Sequence, residues 1–151
     1  MCWSALFCMM TQANPLKVLL VDDEAYFRLF VGKVLSTSAD CAIVEATDGQ
    51  NAIDHCQANQ PDLILLDINM PRVDGVQALA KIRPLLAHTP IVMLTSVSEE
   101  AVVEECVSLG ASYFIRKDVR ADQLKTELQE MLRMFFPMGK EANEQPQTPS
   151  A

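Results

Sequence analysis

Apolar positions along the chain alternate between two patterns. Short runs rich in Leu, Ile and Val fall at Lys17 to Val21, Cys41 to Ala46, Leu63 to Leu66, Ile91 to Leu94 and Ser112 to Ile115, each of strand length. Longer segments with apolar residues at helical spacing follow them, near Tyr26 to Ser36, Gln50 to Asn59, Val76 to Leu86, Glu99 to Leu109 and Ala121 to Phe135. Strands that are apolar on both faces and joined by helix-length connections predict a parallel sheet covered on both sides and wound right-handedly. The expected fold is therefore a doubly wound α/β domain with a five-stranded parallel sheet. Ligands of such sheets bind outside the carboxyl ends of the strands.

Those ends carry the polar chemistry. The run Leu63-Ile64-Leu65-Leu66 delivers Asp67 into the turn-rich stretch Ile68 to Gly75, and Val18-Leu19-Leu20-Val21 ends in Asp22-Asp23-Glu24. Three acids at two strand ends repel one another unless a cation lies between them. The fourth strand runs into Thr95-Ser96 and the fifth into Arg116-Lys117-Asp118, which adds a hydroxyl and an ammonium. Carboxylates with bound magnesium, a hydroxyl and a lysine are the equipment for handling a phosphoryl group. Magnesium takes oxygen ligands and keeps several waters, so Asp22, Asp23, Asp67 and the main-chain carbonyl of Asn69 would suffice. Lys117 supplies a point charge that can pair with Asp67 before reaction and with a phosphoryl oxygen afterwards. An aspartate attacking phosphorus gives an aspartyl phosphate, and Asp67, on the central contributing strand, is the candidate.

Composition narrows the class. At 151 residues, half of them apolar, the chain fits one domain, expected at 15–136, between an N-terminal extension at 1–14 and a polar, Pro- and Gln-rich tail at 137–151 with a disordered composition. The segment Met1 to Met9 is apolar but lacks the basic n-region of a signal peptide, and Met10-Thr11-Gln12 reads as an ordinary start, so residues 1–9 are expected to be non-native. A formal charge of −8 with no Lys/Arg cluster argues against nucleic acid. No apolar run approaches the roughly 20 residues that span a bilayer. Five cysteines without a Cys-x-x-Cys pair read as reduced thiols of a cytoplasmic protein. With no Gly-x-Gly-x-x-Gly or Walker loop, nucleotide binding has no support.

Four stretches then carry a resemblance: Lys17 to Glu24, Pro61 to Pro71 with Asp74-Gly75, Pro90 to Ser96, and Gly110-Ala111 leading to Lys117. In this order they resemble the receiver domain of two-component response regulators over about residues 16 to 135. The resemblance implies a flavodoxin-like (βα)5 fold, with Asp67 as phosphoacceptor and Asp22 and Asp23 as the acidic pair holding Mg2+. It implies Asn69 as the source of a metal-binding main-chain carbonyl, and Thr95 and Lys117 as the residues that follow the phosphoryl group. Phe114, three before Lys117, matches the aromatic position that rotates on activation. The implied partners are a histidine kinase or histidine phosphotransfer protein, and a separate downstream protein reading the face of the fourth helix, fifth strand and fifth helix. The expectation is a stand-alone, non-enzymatic signalling protein.

Two positions depart from the common pattern. Asp118 follows Lys117 where many receivers have Pro, and Val97, two after Thr95, brings no polar group to a hydrolytic water. Plainer roles also compete for several residues. Asp22 and Asp23 could cap the first helix, Ser98 the fourth, and Phe114 could simply fill the core. His55, His88, Asp54 and the acids Glu99, Glu100, Glu104 and Glu105 read as surface, and Asp74 as a turn residue. On the first helix Phe27, Phe30, Val31 and Val34 form the core stripe, leaving Tyr26 and Leu29 outward as a docking place for a histidine phosphodonor. Two other readings stay open: a haloacid-dehalogenase-like phosphatase, which would want a second Asp where Asn69 stands, and a phosphorylation-independent interaction module.

Overall fold

In the computed structural model, which describes residues 14–96 and 99–137, each strand is followed by a helix. Strand β1 (Leu16–Val21) leads to α1 (Ala25–Ser38), β2 (Cys41–Ala46) to α2 (Gly49–Ala58), and β3 (Leu63–Asp67) to α3 (Gly75–Ile82). Then β4 (Ile91–Thr95) leads to α4 (Glu100–Ser108), and β5 (Tyr113–Arg116) to α5 (Ala121–Phe135). All paired strands are parallel, in the order β2-β1-β3-β4-β5.

Side chains alternate across the sheet and build two cores. Leu19, Val21, Ile64, Leu66 and Met93 pack with the buried residues of α2, α3 and α4, while Val18, Leu20, Leu63, Leu65 and Leu94 pack with α1 and α5. Every residue of β3 and β4 is buried, as the continuous apolar runs require of central strands covered on both faces. Strand β2 differs. It lies at the sheet edge and leaves Ala42, Val44 and Glu45 exposed, so it is not covered on both faces.

Several expected boundaries move, for identifiable reasons. Helix α3 stops at Ile82 rather than Leu86, because Pro84 has no amide hydrogen for another helical turn, and the chain continues in tight turns to Leu86. The α1 stripe buries Val31, Val34 and Leu35, while Phe27 and Phe30 are only partly buried against the same core. Glu24 holds the N-cap position of α1 without a side-chain cap bond, so neither Asp22 nor Asp23 caps it. Asp74 does more than turn the chain: it caps α3 in a reciprocal box with Gln77. Glu99 occupies the N-cap position of α4, and Val97 and Ser98 lie outside the described residues, as do residues 1–13 and 138–151.

The end of the sheet away from the acids is tied by Arg83. Its guanidinium donates to the carbonyls of Leu86 and Thr89, both at 2.8 Å, and of Gly110 at 2.7 Å. Gly110 has φ +100, where a side chain is strained, and a Cβ there would also press on the Arg83 stem. Burial lowers the Arg83 pKa, yet the ring of carbonyls keeps the charge satisfied.

Candidate functional site

Register places the acids side by side. Val21 is level with Leu66, so Asp22 and Asp67, one residue further on adjacent strands, emerge at the same height at the centre of the sheet. Asp67 pairs with Leu94 and Thr95 with Arg116, which brings Thr95 and Lys117 to the same edge. The Lys117 amide donates to the Thr95 carbonyl at 2.8 Å. Asp22, Asp67 and Thr95 are buried, Lys117 is nearly so, and Asp23 is exposed.

One carboxylate oxygen each from Asp22, Asp23 and Asp67 can be chosen so that all lie within 4.8 Å of one another. Three hard oxygen donors this close, two of them buried, fit a small divalent cation such as Mg2+ or Mn2+. Asn69 follows at the surface, and its amide donates to Asp67 Oδ1 at 3.3 Å, turning the chain just after the strand. That turn depends on Gly75: its amide donates to the Ile68 carbonyl at 2.8 Å, and a Cβ there would run into the Asp67 carbonyl.

The electrostatics are those of crowded acids with one cation. Burial first, and then the neighbouring Asp22 charge, push the Asp67 carboxyl up to about 7, against the opposing pull of Lys117 and the Asn69 amide. Burial works against the Lys117 charge, but hydrogen bonds to Asp22 and Glu24 and the Asp67 charge outweigh it, so its pKa is raised. The expected Lys117–Asp67 pair is present, but it is the longest of three ion pairs. Lys117 Nζ lies 2.8 Å from Asp22 and 2.7 Å from Glu24, but 3.4 Å from Asp67.

Glu24 and Phe27 are therefore part of the site, though the sequence marked neither. Lys117 Nζ sits 4.5 Å above the centre of the Phe27 ring, which adds a cation–π contact. The signal for Glu24 was its place in the acidic run; for Phe27 it was one helical turn beyond Asp23. Phe114 lies on β5 level with Met93, partly buried against the core beneath α4. Asp118 accepts a two-point bond from Arg116, at 2.9 and 2.6 Å, and no peptide bond among the described residues is cis. His88, Asp54 and the four acids of the α4 region are exposed, and His55 is half-buried.

Five parallel strands in this order, with acids and a lysine at their carboxyl ends, define a flavodoxin-like α/β domain. The response regulator receiver domain family matches residues 18–129, and the chain belongs to that family. It is 32% identical over 108 residues to the chemotaxis protein CheY of Bacillus subtilis, covering 72% of this chain and 90% of that protein. It is 38% identical over 111 residues to a protein-glutamate methylesterase/protein-glutamine glutaminase of Treponema pallidum, covering 72% of this chain but only 28% of that protein. Among solved structures, the Mn2+-bound form of response regulator Rcp1 superposes with a TM-score of 0.75 at 30% identity, covering 82% of this chain and 96% of Rcp1. No helix among the described residues is long and apolar enough to cross a membrane.

Proposed function

We propose that the chain accepts a phosphoryl group on Asp67 from a phosphohistidine of a sensor kinase or phosphotransfer protein, and passes the signal to a separate partner. The observation that supports this most directly is the convergence of Asp22, Asp23 and Asp67 on one point, with Lys117 beside them. In the reaction an Asp67 oxygen attacks phosphorus, the P–N bond of the donor breaks, and the departing imidazole takes up a proton. Asp22, Asp23, Asp67 and the main-chain carbonyl of Asn69 would hold Mg2+, which when bound supplies charge neutralisation for the phosphoryl oxygens.

The chain's own residues supply the rest. Burial of Asp22 and Asp67 keeps the site poor in water, so fixed charges act strongly there. Lys117, already desolvated, is within a short side-chain movement of Asp67 and can turn from Asp22 and Glu24 to a phosphoryl oxygen. Thr95 reaches the phosphoryl group with its hydroxyl, and Phe114, on the neighbouring strand, shifts with it to alter the face of α4, β5 and α5.

Acetyl phosphate with Mg2+ tests the reading. The protein should gain one phosphoryl group that alkali releases and that is missing in Asp67→Asn. Continuous turnover of phosphate esters would favour a phosphatase instead, and absence of labelling would favour a phosphorylation-independent module.

A further inference from the structure

Asp22 and Asp23 are consecutive, and the peptide between them sets how the two carboxylates face one another. One side chain holds that peptide from outside the acid cluster. Arg28, one turn into α1 and only 14% exposed in its side chain, donates from Nη1 to the Asp22 main-chain carbonyl at 2.7 Å. Its Nε donates to Glu45 Oε1 on the edge strand β2 at 2.6 Å. The other face of the same turn is fixed too: the Asp22 amide donates to the Ala46 carbonyl at 3.1 Å, and Asp22 Oδ1 accepts from the Glu24 amide at 2.8 Å.

We propose that Arg28 is a positioning residue for divalent-cation binding, orienting the peptide that joins Asp22 to Asp23, with Glu45 holding the guanidinium in place and balancing its charge. The inference rests on the metal-site reading given above and adds residues that never touch the cation. Charge makes the arrangement informative. An unpaired guanidinium on the Asp22 carbonyl would add positive charge beside the acids; paired with Glu45, it serves the carbonyl as a donor fork with its charge offset. Asp23 has the most to lose, because it is the exposed acid and depends on its backbone for orientation. Glu45 explains why a charged residue sits on an otherwise apolar edge strand.

The test is Mg2+ titration calorimetry on the full chain. Removing residues that orient metal ligands commonly costs about 10–100-fold in affinity, so Arg28→Met should weaken Mg2+ binding by about tenfold or more. Arg28→Lys, which keeps a charge and a donor, should recover part of the loss. Because Glu45 acts through Arg28, Glu45→Gln should weaken binding less than Arg28→Met, and the double variant should bind no worse than Arg28→Met. Wild-type affinity in a folded Arg28→Met, no recovery in Arg28→Lys, or additive losses in the double variant would each overturn the proposal. Should Arg28→Met fail to fold, wild-type affinity in both Arg28→Lys and Glu45→Gln would overturn it, and graded losses would support it. If the wild-type chain itself bound no Mg2+, the metal-site reading and this inference would fall together, whereas binding in the wild type with no loss in the variants sinks only the inference.

Discussion

Lys117 Nζ stands 2.8 Å from Asp22 Oδ2 and 3.4 Å from Asp67 Oδ2, so, with its 2.7 Å contact to Glu24, the lysine is held mainly by Asp22 and Glu24. A divalent cation at the acids would therefore relieve Lys117 of that duty and leave it for Asp67. Substituting Lys117 by Met removes the ammonium that pairs with Asp22, Glu24 and Asp67 and leaves Asp22 buried without its charged partner. Loss of one partner of a buried pair costs about 3–5 kcal/mol, and the exposure of Glu24 reduces this, so a loss of about 2–3 kcal/mol is expected in metal-free buffer. The gain in Tm on adding Mg2+ should be larger for Lys117→Met than for wild type, while phosphorylation by acetyl phosphate slows by about 10²–10³. An equal or smaller gain would show that lysine and cation do not compete.

The Asp67 carboxyl, pushed up to about 7, makes the metal-free fold sensitive to pH in a definite direction. In the unfolded chain an aspartate titrates near about 3.9, so between roughly pH 4 and 7 the folded state binds the extra proton and the unfolded state does not. Stability then falls as pH rises through this window. At about pH 8 in chelator, Asp67→Asn should be more stable than wild type by about 2–4 kcal/mol, and the difference should vanish near about pH 4. Urea denaturation of the two proteins across this range measures it. Parallel pH curves would mean that Asp67 is not held in an unfavourable ionised state.

Gly75 couples the start of α3 to the loop that follows Asp67. A Cβ at this position meets the carbonyl of Asp67 and comes within 2.7 Å of Ile68 Cα, backbone that can yield only by moving Asp67 itself. Gly75→Ala should lose about 1–3 kcal/mol of stability and also weaken Mg2+ binding. Denaturation together with calorimetric titration separates the two effects; lost stability with wild-type metal affinity would show that the loop relaxes without carrying the carboxylate along.

How much of this was legible in the sequence depends on which interactions leave a pattern. Apolar runs that end in acids fixed β1 and β3, and with them the positions of Asp22 and Asp67, because strands buried on both faces have few alternative registers. The side of the acid cluster that Lys117 favours left no such mark, since a four-carbon stem can reach either. Helical spacing through Leu85 and Leu86 masked the stop at Pro84. Arg83 lies within the helical spacing of Val76 to Leu86 and carries no pattern of its own. Its partners are main-chain carbonyls, which every sequence has, so only the folded chain reveals it. Asp48 is similar: buried, capping α2 and paired with Arg72 at 3.0 Å, it reads in sequence as an ordinary loop acid.

Arg83 therefore offers a control at the opposite end of the sheet from the acids. Arg83→Met strips hydrogen bonds from the carbonyls of Leu86, Thr89 and Gly110, and should cost about 2–4 kcal/mol by denaturant titration. Its Mg2+ affinity should stay near that of wild type. A marked loss of affinity would mean that the two ends of the sheet are coupled.

Tyr26 and Leu29 are 82% and 71% exposed on α1, in the turns that directly follow the acid pair. A histidine phosphodonor docking at the acid site, as proposed, would cover these side chains, and burying each contributes about 1.5–3 kcal/mol. A small phosphodonor needs no such surface. Leu29→Glu should therefore slow phosphorylation from a histidine kinase or phosphotransfer protein while leaving the rate with acetyl phosphate near that of wild type. The comparison separates docking from chemistry, because a defect in Asp67, Lys117 or the cation site would slow both donors alike. Equal slowing with the two donors would place Leu29 in support of the acid pair rather than on a docking surface.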